Sequence, residues 1–163
     1  MNCIKQMNVR NKGKRGDWRV AVSLGATSRD GLLGEINRSA PHRNKEDDGS
    51  IGDANHSSRV SDHNPNKAGV VCARDFTHDP AGGFDCKKFF LWIRARLING
   101  TETRVKYVIW NSQIASGPGQ GHHVGVARHY YGSNPHTHHC HVSVRSEAKY
   151  YDGDAPWGWE WPR

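Results

Sequence analysis

Apolar residues fall along the chain in short blocks whose periods differ, and each period predicts an element. Over residues 24–36 the spacing of Leu32, Leu33 and Ile36 predicts a helix, with Ser28 or Asp30 as N-cap and Pro41 beyond its end. Residues 41–69 hold almost no large apolar group and are dense in Asn, Asp, Ser, Gly and His, which describes a long surface loop. Long ordered loops in compact domains usually carry function. The run from Val70 to Phe76 is rich in β-formers, and a side-chain period of two sets Val71, Ala73 and Asp75 on one face, an unusual place for a carboxylate. A helix is predicted over 85–99, with Asp85 as N-cap, a stripe of Phe89, Phe90, Ile93 and Leu97, and Gly100 past its end. Strands are predicted at Val105–Trp110 and His139–Val144, separated by a Gly-rich and His-rich connection over 116–135. Strands and helices mix without regular βαβ alternation, so the expected class is α+β, a small antiparallel sheet with flanking helices and long loops.

A chain of 163 residues has the size of one domain and can bury a self-sufficient core. No run approaches the ~20 apolar residues of a membrane helix, and Met1 to Val9 lacks the apolar stretch of a secretory signal. The expectation is a chain made in the cytoplasm, without membrane insertion and acting as a monomer. Charge divides it further: residues 1–45 hold ten Lys/Arg against three Asp/Glu, and the rest of the chain is balanced. Residues 1–17 thus read as a basic arm ahead of a single domain over 18–163. Lys12, Lys14, Arg15 and Arg19 could track phosphates, be drawn to another anionic polymer such as a cell wall, or serve solubility alone. Cys3, Cys72, Cys86 and Cys140 form no C-x-x-C pair and are expected as free thiols. The tail carries Trp157, Trp159 and Trp161, read as packing before any role as a stacking platform.

Histidine is the unusual count. Of 11, seven lie between His122 and His141. Zinc takes neutral imidazole, carboxylate or thiolate, and a catalytic site uses three protein ligands and keeps one position open. Two places supply such donors: Ser61-Asp62-His63 followed by Asp75, and His136-Thr137-His138-His139-Cys140-His141 entering a strand. In that strand His139 and His141 face the same way. If the two strands are neighbours, Asp75, His139 and His141 converge, His63 reaches in from the loop, and one histidine is left to move protons or steady an oxyanion. His122 and His123 sit in a glycine-rich segment read as a rim.

Ser61-Asp62-His63-Asn64-Pro65, Gly69-Val70-Val71-Cys72-Ala73-Arg74-Asp75 and Asn134-Pro135-His136-Thr137-His138-His139-Cys140-His141-Val142 together resemble the D-alanyl-D-alanine carboxypeptidase-like zinc metallopeptidases. These share their pattern with hedgehog domains, and the likeness is to phage endolysin peptidases in particular, over about residues 18–144. The resemblance implies a hedgehog/DD-peptidase-like fold, Zn2+ held by His63, Asp75 and His141, and His139 as the catalytic or transition-state-stabilising histidine. His136 matches an accessory histidine of some members. Eleven residues separate His63 from Asp75, a longer interval than usual, so His56 stands as an alternative first ligand. The family's carbonyl-polarising arginine corresponds to Arg43 or Arg59.

The function so implied is hydrolysis of peptide bonds in bacterial peptidoglycan, by an L-Ala-D-Glu endopeptidase, a cross-link endopeptidase or a D,D-carboxypeptidase. Stem peptides are then the partner and the cell wall, reached after release from the cytoplasm, the site of action. A metal-dependent nuclease using the basic arm is the runner-up, although nucleic acid is not the expected partner; a zinc-holding, non-catalytic wall-binding module is the third reading.

Overall fold

The computed structural model describes residues 18–25, 30–51 and 60–160. The basic arm over 1–17, His56, Arg59 and Trp161 lie outside the described residues. The elements are β1 (Arg19–Val20), a 3-10 turn at Val22–Leu24, α1 (Gly31–Ser39), β2 (Val70–Val71), β3 (Ala73–Thr77), α2 (Cys86–Ile98), β4 (Val105–Trp110), β5 (Gln113–Ser116), β6 (Ala127–His129), β7 (His139–Val144) and α3 (Ala148–Tyr151). The protein is α+β. Its main sheet has five antiparallel strands in the order β3-β7-β4-β5-β6, and β1 and β2 form a separate parallel pair. Among the described residues no helix is long and apolar enough to cross a membrane.

One face of the sheet builds the core. Strand alternation turns Cys140, Val142 and Val144 of β7 inward, where they meet Phe76, Val108 and the Phe89, Phe90, Ile93 and Leu97 stripe of α2. The Asp85 carboxylate accepts from the backbone N–H groups of Lys87 and Lys88, the N-cap expected of it. Cys72, Cys86 and Cys140 are free and buried. Trp157 and Trp159 are buried in the core, Trp157 donating its indole N–H to the Ser23 carbonyl, so these two indoles are packing residues.

The first helix starts behind Asp30, the second of its two expected N-cap positions. Gly25 and Gly31 take positive φ, so the chain turns there and the helix occupies Gly31–Ser39 behind Asp30. Two strands add to those expected: β4 turns back through Asn111 and Ser112, both at positive φ, into β5, and β6, inside the connection over 116–135, pairs with β5. No glycine marks that hairpin, which is why it reads poorly from sequence.

The loop over 41–51 is anchored on β3. Gly49 and Asp75 exchange backbone hydrogen bonds of 3.3 and 2.7 Å. Asp48 accepts from the backbone N–H and the hydroxyl of Thr77 at 2.9 Å each, and pairs with the buried Arg43 guanidinium at 2.8 Å through Oδ1. Arg43 also donates to Asn37 and to the Asn44 carbonyl, leaving one of its five N–H groups uncommitted among the described residues. The effect of this buried pair is to fix Ser50, the next residue but one, beside the histidine cluster.

Candidate metal centre

The face of the sheet turned away from α2 carries the histidines. Register sets Asp75 of β3 opposite His141 of β7, and Thr77 opposite His139, so Asp75, His139 and His141 share that face. His63 enters from the loop ahead of β2, held through Cys72 N–H to the Asp62 carbonyl at 3.1 Å. Three ligand atoms converge. His63 Nε2 lies 3.1 Å from His141 Nδ1, His141 Nδ1 lies 2.9 Å from Asp75 Oδ1, and His63 Nε2 lies 3.2 Å from Asp75 Oδ2. These three residues form a group able to hold a metal ion.

The tautomers suit that role. A carbonyl oxygen only accepts, so the 2.9 Å contact from His63 Nδ1 to the Ser50 carbonyl puts the proton on Nδ1 and the lone pair on Nε2, facing the centre. His141 Nε2 lies 2.9 Å from Ser143 Oγ, a hydroxyl able to accept from it when a metal ion takes the Nδ1 lone pair. Two imidazole lone pairs and a carboxylate within about 3 Å of one another repel unless a cation, proton or metal, stands between them. Ligand atoms at tetrahedral angles around zinc, with bonds of 2.0–2.1 Å, would lie about 3.4 Å apart, close to the separations found here.

Electrostatics follow the same geometry. Burial works to raise the Asp75 carboxyl, but hydrogen bonds from His141 and His63 and their charges hold it well below the ordinary carboxylate range. Burial works to lower His63, and Asp75, the Ser50 carbonyl and Asp62 outweigh it, so His63 titrates above its ordinary value. His141 is lowered by burial, which Asp75 only partly offsets.

Around this centre lies a second ring of contacts that the sequence did not announce. The Tyr107 ring stacks on His141 at 5.5 Å between centroids, and its hydroxyl interacts with both Ser143 and Asp62. Burial first, and then Asp62, raise the Tyr107 hydroxyl well above the ordinary phenol value, so it stays a neutral donor. Asp62 is in turn held by Lys106 Nζ at 2.8 and 2.9 Å. Ser143 was legible, being two residues beyond His141 on the same strand face. Replacing it by Ala removes the partner of His141 Nε2, and the expected result is a 10- to 100-fold loss of zinc affinity in competition with a chelator.

His139 stands at the edge, its Nε2 3.8 Å from Asp75 Oδ2 and its side chain 16% exposed. His136 is buried, takes φ of 55° and sets its ring 5.0 Å from that of His139 and 5.6 Å from that of His141; its Nδ1 has no hydrogen-bond partner among the described residues. Tyr130 packs on His136 at 5.4 Å between centroids. Gly132 makes room for it: a Cβ there would fall 2.1 Å from the Tyr130 hydroxyl oxygen. Of the residues expected in the site, the structure brings together His63, Asp75, His141, His139 and His136. It places Arg43 in the Asp48 pair instead, and sets His138, His122 and His123 at the exposed surface.

His136 makes stability depend on pH. Burial and the charges of His141 and His139 lower it to about 4, from an ordinary value of about 6.5 when unfolded. Between those values the unfolded chain binds more protons than the folded one, so the His136 contribution is present above pH ~6.5 and lost as pH falls toward 4. For the metal-free protein the expected loss from this residue is about 2 kcal/mol after allowing for partial solvent screening. Thermal unfolding of the wild type and His136→Gln across that interval checks it: the variant's curve should be flatter.

No family model, curated protein or solved structure matches the chain.

Proposed function

We propose that the protein is a zinc-dependent peptidase of hedgehog/DD-peptidase-like fold that cleaves peptide bonds in bacterial peptidoglycan. The observation that carries the reading is the convergence of His63 Nε2, His141 Nδ1 and the Asp75 carboxylate, with a further histidine, His139, beside them. The sequence motifs around these residues are those whose resemblance suggested the family, and the donor set of two imidazoles and one carboxylate suits zinc.

When zinc is bound by His63, Asp75 and His141 it supplies a Lewis acid that polarises the scissile carbonyl and activates water. The remaining tasks fall to side chains. The Ser50 carbonyl holds His63 in the tautomer that binds metal, and the Ser143 hydroxyl can accept from His141 Nε2 in the same state. His139, partly exposed and next to Asp75, takes up a proton during attack and delivers it to the departing amine. His136, neutral at physiological pH, backs His139 and limits its rotation. Arg43 keeps the loop bearing Ser50 in place through Asp48 and has little donor capacity left for a substrate carbonyl; Arg59 lies outside the described residues.

Mass spectrometry of muropeptides after digestion of purified sacculi tests the reading and identifies the bond, because each cleavage class leaves a different new amino terminus. New amines released in step with zinc content are expected. Zinc binding and wall affinity with no new amine would instead favour a non-catalytic module. Degradation of nucleic acid with a steep loss at rising salt would favour a nuclease.

A further inference from the structure

A line of polar groups runs outward from the metal centre. The register sets Tyr107 of β4 opposite Ser143 of β7, and Ser143 is two residues on from His141, so all three share the ligand face. His141 Nε2 lies 2.9 Å from Ser143 Oγ. The Tyr107 ring lies over His141 with 12° between their planes, and its hydroxyl hydrogen-bonds with both Ser143 and Asp62. Asp62 closes the line, its two oxygens accepting from Lys106 Nζ at 2.8 and 2.9 Å. The same ammonium stands 5.4 Å from the centroid of the Tyr107 ring.

Counting protons gives this line a direction. A carboxylate paired with an ammonium only accepts, whereas each hydroxyl has one proton to give. Tyr107 therefore gives its proton to Asp62 and turns an oxygen lone pair toward Ser143. Ser143, fully buried, gives its own proton to Tyr107 and turns a lone pair toward His141 Nε2. That contact is then a hydrogen bond only if Nε2 carries the ring proton, which leaves the lone pair on Nδ1, the atom 3.1 Å from His63 Nε2 and 2.9 Å from Asp75 Oδ1. In the opposite order the Asp62 carboxylate and the phenol oxygen would face each other as two acceptors with no proton between them, the unsatisfied arrangement that enclosed polar groups avoid.

We infer, resting on the zinc centre of the proposed peptidase, that Lys106, Asp62, Tyr107 and Ser143 form a directed hydrogen-bond chain whose proton order presents His141 Nδ1 to the metal. Tyr107 and Asp62 are positioning residues: neither supplies an atom to the metal group, and both act through Ser143 on His141. Metal binding displaces any proton held on the ligand atom, so an order that keeps the ring proton on Nε2 raises affinity without adding a ligand. Each link works only through the next, so cutting the chain at one link leaves nothing for a second cut to remove.

A double-mutant cycle on the full chain, read as the zinc Kd in competition with a chelator, tests this order. Tyr107→Phe keeps the ring on His141 and removes only the hydroxyl; its expected effect is a Kd weaker by about 10-fold, the lower end of the range for a contact that orients a ligand. In a Ser143→Ala background the same substitution should change nothing, since the link to His141 is already cut. Asp62→Asn should weaken zinc binding in the wild-type background and have no further effect in Tyr107→Phe. Wild-type affinity in Tyr107→Phe, a further loss from Asp62→Asn in Tyr107→Phe, or losses from Tyr107→Phe and Ser143→Ala that multiply in the double variant, as two independent packing defects would, overturn the inference. A wild type that binds no zinc overturns it together with the metal centre. If zinc is bound and no new amine is released from sacculi, only the peptidase reading fails, and the cycle still decides the chain.

Discussion

Replacing His141 by Ala is expected to leave the protein unable to retain zinc through dialysis, where the wild type keeps about one ion per chain. The expectation is large because His141 is held firmly in place. It is buried, stacked on Tyr107, bonded to Ser143 through one ring nitrogen and aimed at Asp75 and His63 through the other. Contacts that merely orient a ligand are worth 10- to 100-fold in affinity, and loss of one of three ligands should cost more, roughly 10³-fold. Metal analysis and the zinc-dependent rise in Tm provide two readings: the wild type should be stabilised in proportion to the logarithm of free zinc, and the variant should not respond. His63→Ala should behave in the same way. A full complement of zinc in His141→Ala would mean that the ligands are elsewhere.

Much of this arrangement was legible in the sequence, and the part that was not has identifiable causes. The helix behind Asp85 and the strands at Val105–Trp110 and His139–Val144 follow from local pattern and appear where expected. The pairing of Asp75 with His141 was reachable only as a condition, because local pattern does not say which strands are neighbours; β3 adds to β7 over an interval of more than 60 residues. Tyr107 was hidden for another reason. A register irregularity between Val105 and Tyr107 breaks the alternation of β4, so Val105 faces the core while Tyr107, two residues on, faces Ser143 and His141. A strict period of two would have put both on one side. The Ser50 contact depends on the loop being tied by Arg43, Asp48 and Thr77, a tertiary event that composition marks only as a polar stretch. Arg43 therefore illustrates a limit of reading roles from order in the chain: an arginine ahead of the first ligand matched the expected position, and its donors are spent on the scaffold.

His139→Ala separates the binding of metal from the use of it. His139 contributes no atom to the cluster of His63, Asp75 and His141, and its Nε2 stands 3.8 Å from Asp75 Oδ2. Its partial exposure leaves Nε2 available to a substrate, whereas His141 is enclosed. Zinc content and Tm should therefore stay close to wild type, while release of new amines from sacculi falls by about 10²- to 10⁴-fold, the range expected when a positioned acid or base is removed. The pairing of outcomes is what discriminates. A module that only holds metal and wall would show no change on His139→Ala, because there is no turnover to lose. A ligand role for His139 would show as metal lost together with activity, and that result would exchange the places of His139 and one of the three assigned ligands. His139→Gln, which keeps a hydrogen-bonding side chain but cannot accept and deliver a proton near neutral pH, should be as inactive as the alanine variant if proton transfer is the contribution. It should retain much of the rate if hydrogen bonding to the substrate is.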